Sequence, residues 1–298
     1  MATEIRYFCI AEHYVKITFV DNTYNNMNLL RSCYPFLVDP VDDEELLIDI
    51  TVDDTLRPIE KSKRERVREF ESGNGDIIAD IILGGGYQFI FKDMSGNECA
   101  MFQTDKTYRH VKCALNGTFD MRCFGLHNTM MLNYAMAGSF KYTLLIHSSL
   151  VRHNGYGYGF HAPSGTGKST QVSNWLRHIP NCDLMNDDNP VIRVIDGKPY
   201  IYGTPWSGKT PCYRNIKAPL GALTRIDQDS HNWVQKLSPV EAFTSILPSC
   251  SALKWEVQLY RGICDTVTKI VETSHAYILH CLPDREAAEI CHATIAVK

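Results

Sequence analysis

Residues 159–170 read GFHAPSGTGKST. The spacing is that of the Walker A motif, with Ala162 in the position of the usual first glycine. Gly165 and Gly167 leave the backbone N–H groups free to surround a phosphate, and the positive end of a following helix attracts the same anion. The extended form SGTGKST, between an apolar strand and an amphipathic helix, favours a nucleotide site over a chance match.

The side chains of this stretch suit a nucleotide bound with Mg²⁺. Lys168 would place its ammonium group between the terminal phosphates, and a hydroxyl such as that of Ser169 can coordinate the metal. The residues predicted to bind the nucleotide are Ser164, Gly165, Thr166, Gly167, Lys168, Ser169 and Thr170.

Two adjacent carboxylates, Asp187 and Asp188, lie nineteen and twenty residues after Lys168. We predict that they end a strand beginning at Cys182, which lies beside the strand before the Walker A motif in a parallel sheet. The carboxyl ends of such strands line the ligand crevice. Carboxylates there can hold the metal or accept a proton from an attacking hydroxyl. An acidic turn is the alternative, because Asp-Asp-Asn-Pro is favourable turn sequence. The distance from the motif favours the metal and base roles.

Outward from the motif, strands and helices alternate towards the C-terminus, which predicts an α/β domain. Asn154-Gly155 and Asp196-Gly197 are hairpin turns, and Ser238 begins a capping box with proline at the first helical position. The predicted strands are 142–146, 158–161, 182–188 and 276–280, and the predicted helices are 168–178, 239–247, 255–271 and a last one opened by Pro283 and Asp284.

The N-terminal part reads as a succession of short strands with glycine turns, which is typical of a mostly antiparallel sheet. The predicted strands are 10–19, 46–52, 77–83, 87–91, 99–103 and 108–115. The charged stretch 53–76 is predicted to be a solvated helix or loop. The pattern becomes helical near Gly125, so we predict a smaller β domain over 1–124 and a nucleotide-binding domain over 125–298.

Composition excludes a disordered chain, a collagen-like repeat and a coiled-coil rod, because the 298 residues are 44% hydrophobic and 21% charged, close to the averages of globular proteins. The net charge of −4 provides no general attraction for nucleic acid or an anionic membrane. No segment has the length of apolar sequence that spans a bilayer. The eleven cysteines include no C-x-x-C pair, and no Cys/His cluster has metal-ligand spacing. We therefore expect free thiols, a cytoplasmic location, and neither nucleic acid nor membrane as a partner.

The sequence resembles the HPr kinase and phosphoenolpyruvate carboxykinase group of P-loop enzymes. The resemblance covers residues 125–298 and rests on Ile146-His147, 164–169 and Asp187-Asp188. It implies that fold for the C-terminal domain, with ATP and Mg²⁺ as ligands. It also implies that Asp187 is the base that activates a serine hydroxyl, that His147 assists it, and that Asp188 lies nearer the metal with Ser169. The stretches GTPWSGK at 203–209 and APL at 218–220 are similar to uncharacterised HPr-kinase-like proteins.

The expected activity is ATP-dependent transfer of a phosphoryl group to a hydroxyl, such as that of serine, free or in a peptide or protein. A nucleotide-binding regulator without turnover and a carboxykinase-like lyase are the alternatives. The alternative to a catalytic role for His147 is that of a core histidine hydrogen-bonded to the backbone. The stretch 204–209 is either a substrate loop in which Lys209 neutralises phosphoryl charge, or a rigid turn with Trp206 packed inward.

Overall fold

The computed structural model describes residues 2–71 and 75–297. The chain divides into two compact units between Ala137 and Gly138. The predicted division, after residue 124, falls inside helix α1 (Phe119–Gly138), which begins earlier than the helical pattern near Gly125 indicated. Within the described residues, no helix combines the length and the apolar character needed to cross a bilayer.

The first unit contains a mixed sheet in which antiparallel pairs predominate, as predicted. In the described residues its strand order is β3-β1-β2-β4-β9-β8-β7-β6-β5, and only β2–β4 and β4–β9 pair in parallel. Its strands are β1 (Glu4–Ile10), β2 (His13–Phe19), β3 (Leu37–Val38), β4 (Leu46–Val52), β5 (Arg64–Glu71), β6 (Asp76–Ile82), β7 (Tyr87–Lys92), β8 (Glu98–Thr104) and β9 (His110–Leu115).

The prediction of a helix or loop over 53–76 is wrong for most of its second half. Strand β5 lies at the edge of the sheet and pairs with β6. Its charged side chains are compatible with a strand because an edge position leaves them solvated. Arg64 and Arg66 also form ion pairs with the buried carboxylate of Asp80 on β6.

The second unit is built on another mixed sheet with helices on both faces. In its described residues the order is β10-β14-β15-β16-β12-β11-β13, and β18 also pairs with β16 and β17. The strands are β10 (Thr143–Leu145), β11 (Ser148–His153), β12 (Tyr156–His161), β13 (Cys182–Asp188), β14 (Val191–Ile195), β15 (Lys198–Tyr202), β16 (Lys217–Gln228), β17 (Trp233–Lys236) and β18 (His275–Cys281). The helices are α2 (Lys168–His178), α3 (Pro239–Ile246), α4 (Val257–Thr273) and α5 (Arg285–Ile295).

Successive residues of the strands supply two separate cores. Leu150 packs in a cluster with residues of α3 and α4, whereas Val151 packs with residues of α2 and α5. Because neighbouring strand residues point to opposite faces, α3 and α4 cover one face of the sheet and α2 and α5 cover the other. Trp175 is fully buried in the second cluster, so α2 is fixed by its packing.

Several local predictions for this unit are confirmed. Helix α2 spans the predicted residues, the hairpins turn at Asn154-Gly155 and Asp196-Gly197, and Ser238 and Glu241 form a capping box. The prediction that β13 lies beside β12 is wrong. Strand β11 lies between them and is antiparallel to both. The tight hairpin after β11 places β12 directly beside it, so that β13 pairs with the opposite edge of β11.

Candidate functional site

The loop of residues 162–167, here called the glycine loop, connects β12 to the first turn of α2. Gly165 and Gly167 have φ angles of +81° and +123°, and a Cβ atom at either position would meet no atom within 4 Å. Glycine is therefore favoured here by the backbone conformation and not by crowding. The open space around both residues leaves the backbone accessible to an anion.

Lys168 is largely buried and lies across this loop. Its Nζ donates to the carbonyl oxygens of Ala162, at 2.9 Å, and Pro163, at 3.4 Å. Burial lowers the pKa of Lys168, while the negative charges of Asp188 and Asp187 oppose that effect. The ammonium group is thus held at the loop by two neutral acceptors, which phosphate oxygens could replace.

Asp187 is only 4% exposed and accepts several hydrogen bonds. Its Oδ1 accepts from the hydroxyls of Ser149, at 2.6 Å, and Ser169, at 3.1 Å. Its Oδ2 accepts from the backbone N–H of Thr210, at 3.2 Å. The Asp187 carboxylate therefore links the end of β13 to the Ser169 hydroxyl in the first turn of α2.

Asp188 is more accessible and pairs with His147. The His147 Nδ1 lies 2.9 Å from the Asp188 Oδ1, and their side chains are 42% and 30% exposed. Asn189 donates to the other Asp188 oxygen at 2.7 Å. The φ angle of Asp188 is +142°, a conformation that L-residues rarely adopt, and residues with such strained backbone occur more often at functional sites than elsewhere.

These contacts differ from the roles implied by the resemblance. The sequence-based assignment joined His147 to Asp187 and placed Asp188 nearer the metal with Ser169. In the structure His147 contacts Asp188, and Ser169 contacts Asp187. The sequence spacing is sufficient to predict that both carboxylates lie at the site. It does not determine the direction in which each side chain points at the end of the strand.

The stretch 203–210 lies against the end of β13. Trp206 is buried, and its carbonyl accepts from the Asn186 side chain at 3.2 Å. The Ser207 hydroxyl and the Gly208 N–H both donate to the Asp187 carbonyl. Trp206 therefore packs inward, which agrees with the rigid-turn alternative for residues 204–209. Lys209 is exposed and makes no hydrogen bond or ion pair within the described residues.

Two buried residues at the site, Ser149 and His161, carry no functional prediction from the sequence. Ser149 lies opposite Asp187 in the β11–β13 register, and this placement depends on strand pairing that the local sequence around Ser149 does not specify. His161 is buried at the end of β12, and its Nδ1 lies 3.1 Å from the Ser249 hydroxyl. The Ser249 carbonyl accepts from the His147 N–H at 2.7 Å, so Ser249 connects the two histidines.

The available ligands fit a magnesium ion that arrives with a nucleotide. Within the described residues no group of three or more His, Cys, Asp and Glu side chains could hold a metal by itself. Mg²⁺ usually takes one or two carboxylates together with phosphate oxygens and water. Asp187 and the adjacent Ser169 hydroxyl provide such a partial set beside the glycine loop.

Neither a family model nor a curated protein matches this chain.

Proposed function

We propose that this protein is an ATP- and Mg²⁺-dependent phosphotransferase whose acceptor is a hydroxyl, such as that of serine, free or in a peptide or protein. The observation that carries the proposal is the position of two carboxylates beside an open glycine loop. One carboxylate is hydrogen-bonded to Ser169, and the other is paired with a histidine and accessible to a second substrate.

Binding of the phosphates would fall to the glycine loop and Lys168. The loop N–H groups and the N-terminal end of α2 stabilise negative charge on the phosphates. Lys168 would exchange its contacts with the Ala162 and Pro163 carbonyls for β and γ phosphate oxygens. A charged acceptor makes a stronger hydrogen bond than a neutral carbonyl, which favours this exchange.

Ser169 and Asp187 would hold Mg²⁺. The magnesium ion supplies positive charge that neutralises the β and γ phosphates. We assign this role to Asp187 because its Oδ1 lies 3.1 Å from the Ser169 hydroxyl. Its burial and its hydrogen bonds from Ser149 and Thr210 fix the carboxylate in place.

Asp188 would be the general base, with His147 as its partner. As the acceptor hydroxyl attacks the γ-phosphorus, its proton passes to a carboxylate oxygen of Asp188. The bond from the γ-phosphorus to the bridging oxygen breaks, and ADP leaves. His147 would orient the Asp188 carboxylate through the 2.9 Å contact. This assignment exchanges the roles that the family resemblance gave to the two aspartates.

The test combines nucleotide binding with transfer from labelled ATP to free serine, small proteins and host-cell extract. We expect Asp188→Asn to lose about 10²- to 10⁴-fold in transfer rate, the usual contribution of a general base. ATP affinity measured by calorimetry should stay close to that of the unmodified protein. Asp187→Asn should instead weaken the magnesium-dependent part of ATP binding.

Asp196→Asn is the matched control, because Asp196 lies in the exposed β14–β15 turn, where asparagine fits the positive φ. Failure of the protein to bind ATP with magnesium would refute the proposal. Binding without transfer, unaffected by Asp188→Asn, would support a regulator instead. Consumption of oxaloacetate with ATP would support the carboxykinase-like alternative.

A further inference from the structure

Ser249 connects the strand that precedes the glycine loop to the segment that carries His147. It is the last residue of a short 3₁₀ helix, Leu247–Ser249, which follows α3. Its hydroxyl lies 3.1 Å from the Nδ1 of His161, the last residue of β12, and its carbonyl accepts from the His147 N–H at 2.7 Å. The connection therefore runs from the start of the glycine loop to the histidine that is paired with Asp188.

The strand register explains why His161 and Asp188 lie on the same face of the sheet. Ser148 of β11 lies opposite His161 of β12 on one side and opposite Asp188 of β13 on the other. Residues in one such row point to one face, and here it is the face of α3 and α4, because the residue two positions further along β11 packs with these helices. Asp187, in the neighbouring row, points to α2. Ser249 therefore lies on the face of Asp188 and not on that of the nucleotide-binding helix.

His161 gives the connection a fixed end. Its side chain is only 1% exposed, and burial, followed by nearby positive charges, lowers its pKa to about 3, so the ring is neutral at physiological pH. Within the described residues, the ring contacts one polar group, the Ser249 hydroxyl, and its Nε2 has no hydrogen-bond partner. Loss of that hydroxyl would leave both buried ring nitrogens unpaired, which is unfavourable. The ring and the hydroxyl therefore hold each other in place.

The other end of the connection determines where His147 begins. Residues 145–147 pair with residues 249–251 through an antiparallel bridge and flanking backbone hydrogen bonds. The His147 side chain is 42% exposed and contacts Asp188 from this open position. Because packing does not enclose the ring, its direction depends on how firmly the backbone of residue 147 is held.

We propose that Ser249 is a positioning residue for the transfer reaction. Its hydroxyl, held by His161, fixes the backbone from which His147 orients the Asp188 carboxylate. The inference rests on the proposed function, because it requires that Asp188 accept the proton of the attacking hydroxyl. Ser249 acts through His147 and not on the substrates, so it affects the rate of transfer and not the binding of nucleotide or acceptor.

The test measures kcat and acceptor KM, with free serine or the small protein that accepts fastest in the transfer assay, and ATP affinity by calorimetry. Ser249→Ala should lower kcat about threefold to tenfold, the effect of one neutral hydrogen bond, while KM and ATP affinity stay within about twofold. Ser249→Thr keeps the hydroxyl and should retain the unmodified rate. Ser251→Ala is the matched control, because the Ser251 hydroxyl makes no hydrogen bond within the described residues and its loss should leave kcat unchanged.

A double variant separates positioning from a merely structural role. In a His147→Gln background, Ser249→Ala should cause no further loss of kcat, because the residue through which it acts is already replaced. An equal loss in both backgrounds, or an unchanged kcat in Ser249→Ala alone, would overturn this inference and leave the proposed function standing. Lack of transfer by the unmodified protein to every acceptor would overturn both.

Discussion

Lowering the pH should destabilise the second unit through His161. Burial, followed by the charges of Arg225 and Lys168, lowers the pKa of this histidine to about 3. The unfolded chain has the ordinary histidine pKa of about 6.5. Between these values the unfolded state binds a proton that the folded state does not, so stability is present above pH 6.5 and is lost as the pH falls towards 3.

The expected size of the effect follows from the same two pKa values. Between pH 7.5 and 5.0, one such histidine removes about 2 kcal/mol from the free energy of unfolding. His153 and His292, whose pKa values burial also lowers, add to the loss in the same direction. The difference between the unmodified protein and His161→Asn isolates the contribution of His161, since asparagine can still contact Ser249 from a position near that of Nδ1.

Denaturant titration followed by tryptophan fluorescence is a suitable assay. All four tryptophans of the chain are at 175, 206, 233 and 255, so their signal reports the second unit. His161→Asn should lose about 2 kcal/mol less than the unmodified protein over this pH interval. His231→Asn, at an exposed position, is the control. Equal pH dependence in His161→Asn and the unmodified protein would refute the reasoning.

Three further substitutions test local features by the same unfolding assay. Gly167→Ala should destabilise the second unit by about 1–3 kcal/mol, because its φ of +123° strains an L-residue even though the added Cβ meets no neighbour. Ser149→Ala should cost about 1.5 kcal/mol by removing a hydrogen bond to the charged Asp187. Ser238→Ala should cost about 1 kcal/mol by breaking the capping box with Glu241. A change below about 0.3 kcal/mol in any of the three would contradict its stated cause, since each estimate exceeds that value.

The features that short-range chemistry determines could be predicted from the sequence. The Walker A spacing located the glycine loop and α2, and the turn and cap residues located the hairpins and the start of α3. Each signal lies within a few residues of the structure it specifies. The end of β13 at Asp188 was also predictable, because a strand pattern stops there at turn-forming residues.

Features that depend on distant parts of the chain were not predictable in the same way. Strand β11 separates β12 from β13, and strand adjacency depends on the whole sheet and not on local pattern. The pairing of His147 with Asp188 depends on side-chain directions at a strand end with unusual backbone geometry.

The charged edge strand β5 has a consequence for self-association of the first unit. A sheet edge offers unpaired backbone groups to which a strand of another molecule can add. A second β5 arriving at this edge would bring its arginine and glutamate side chains into close, partly dehydrated contact with those of the first. Replacing Arg68 by threonine would remove one of these charges while leaving the ion pairs of Arg64 and Arg66 with Asp80 in place, and it should make edge-to-edge association more favourable.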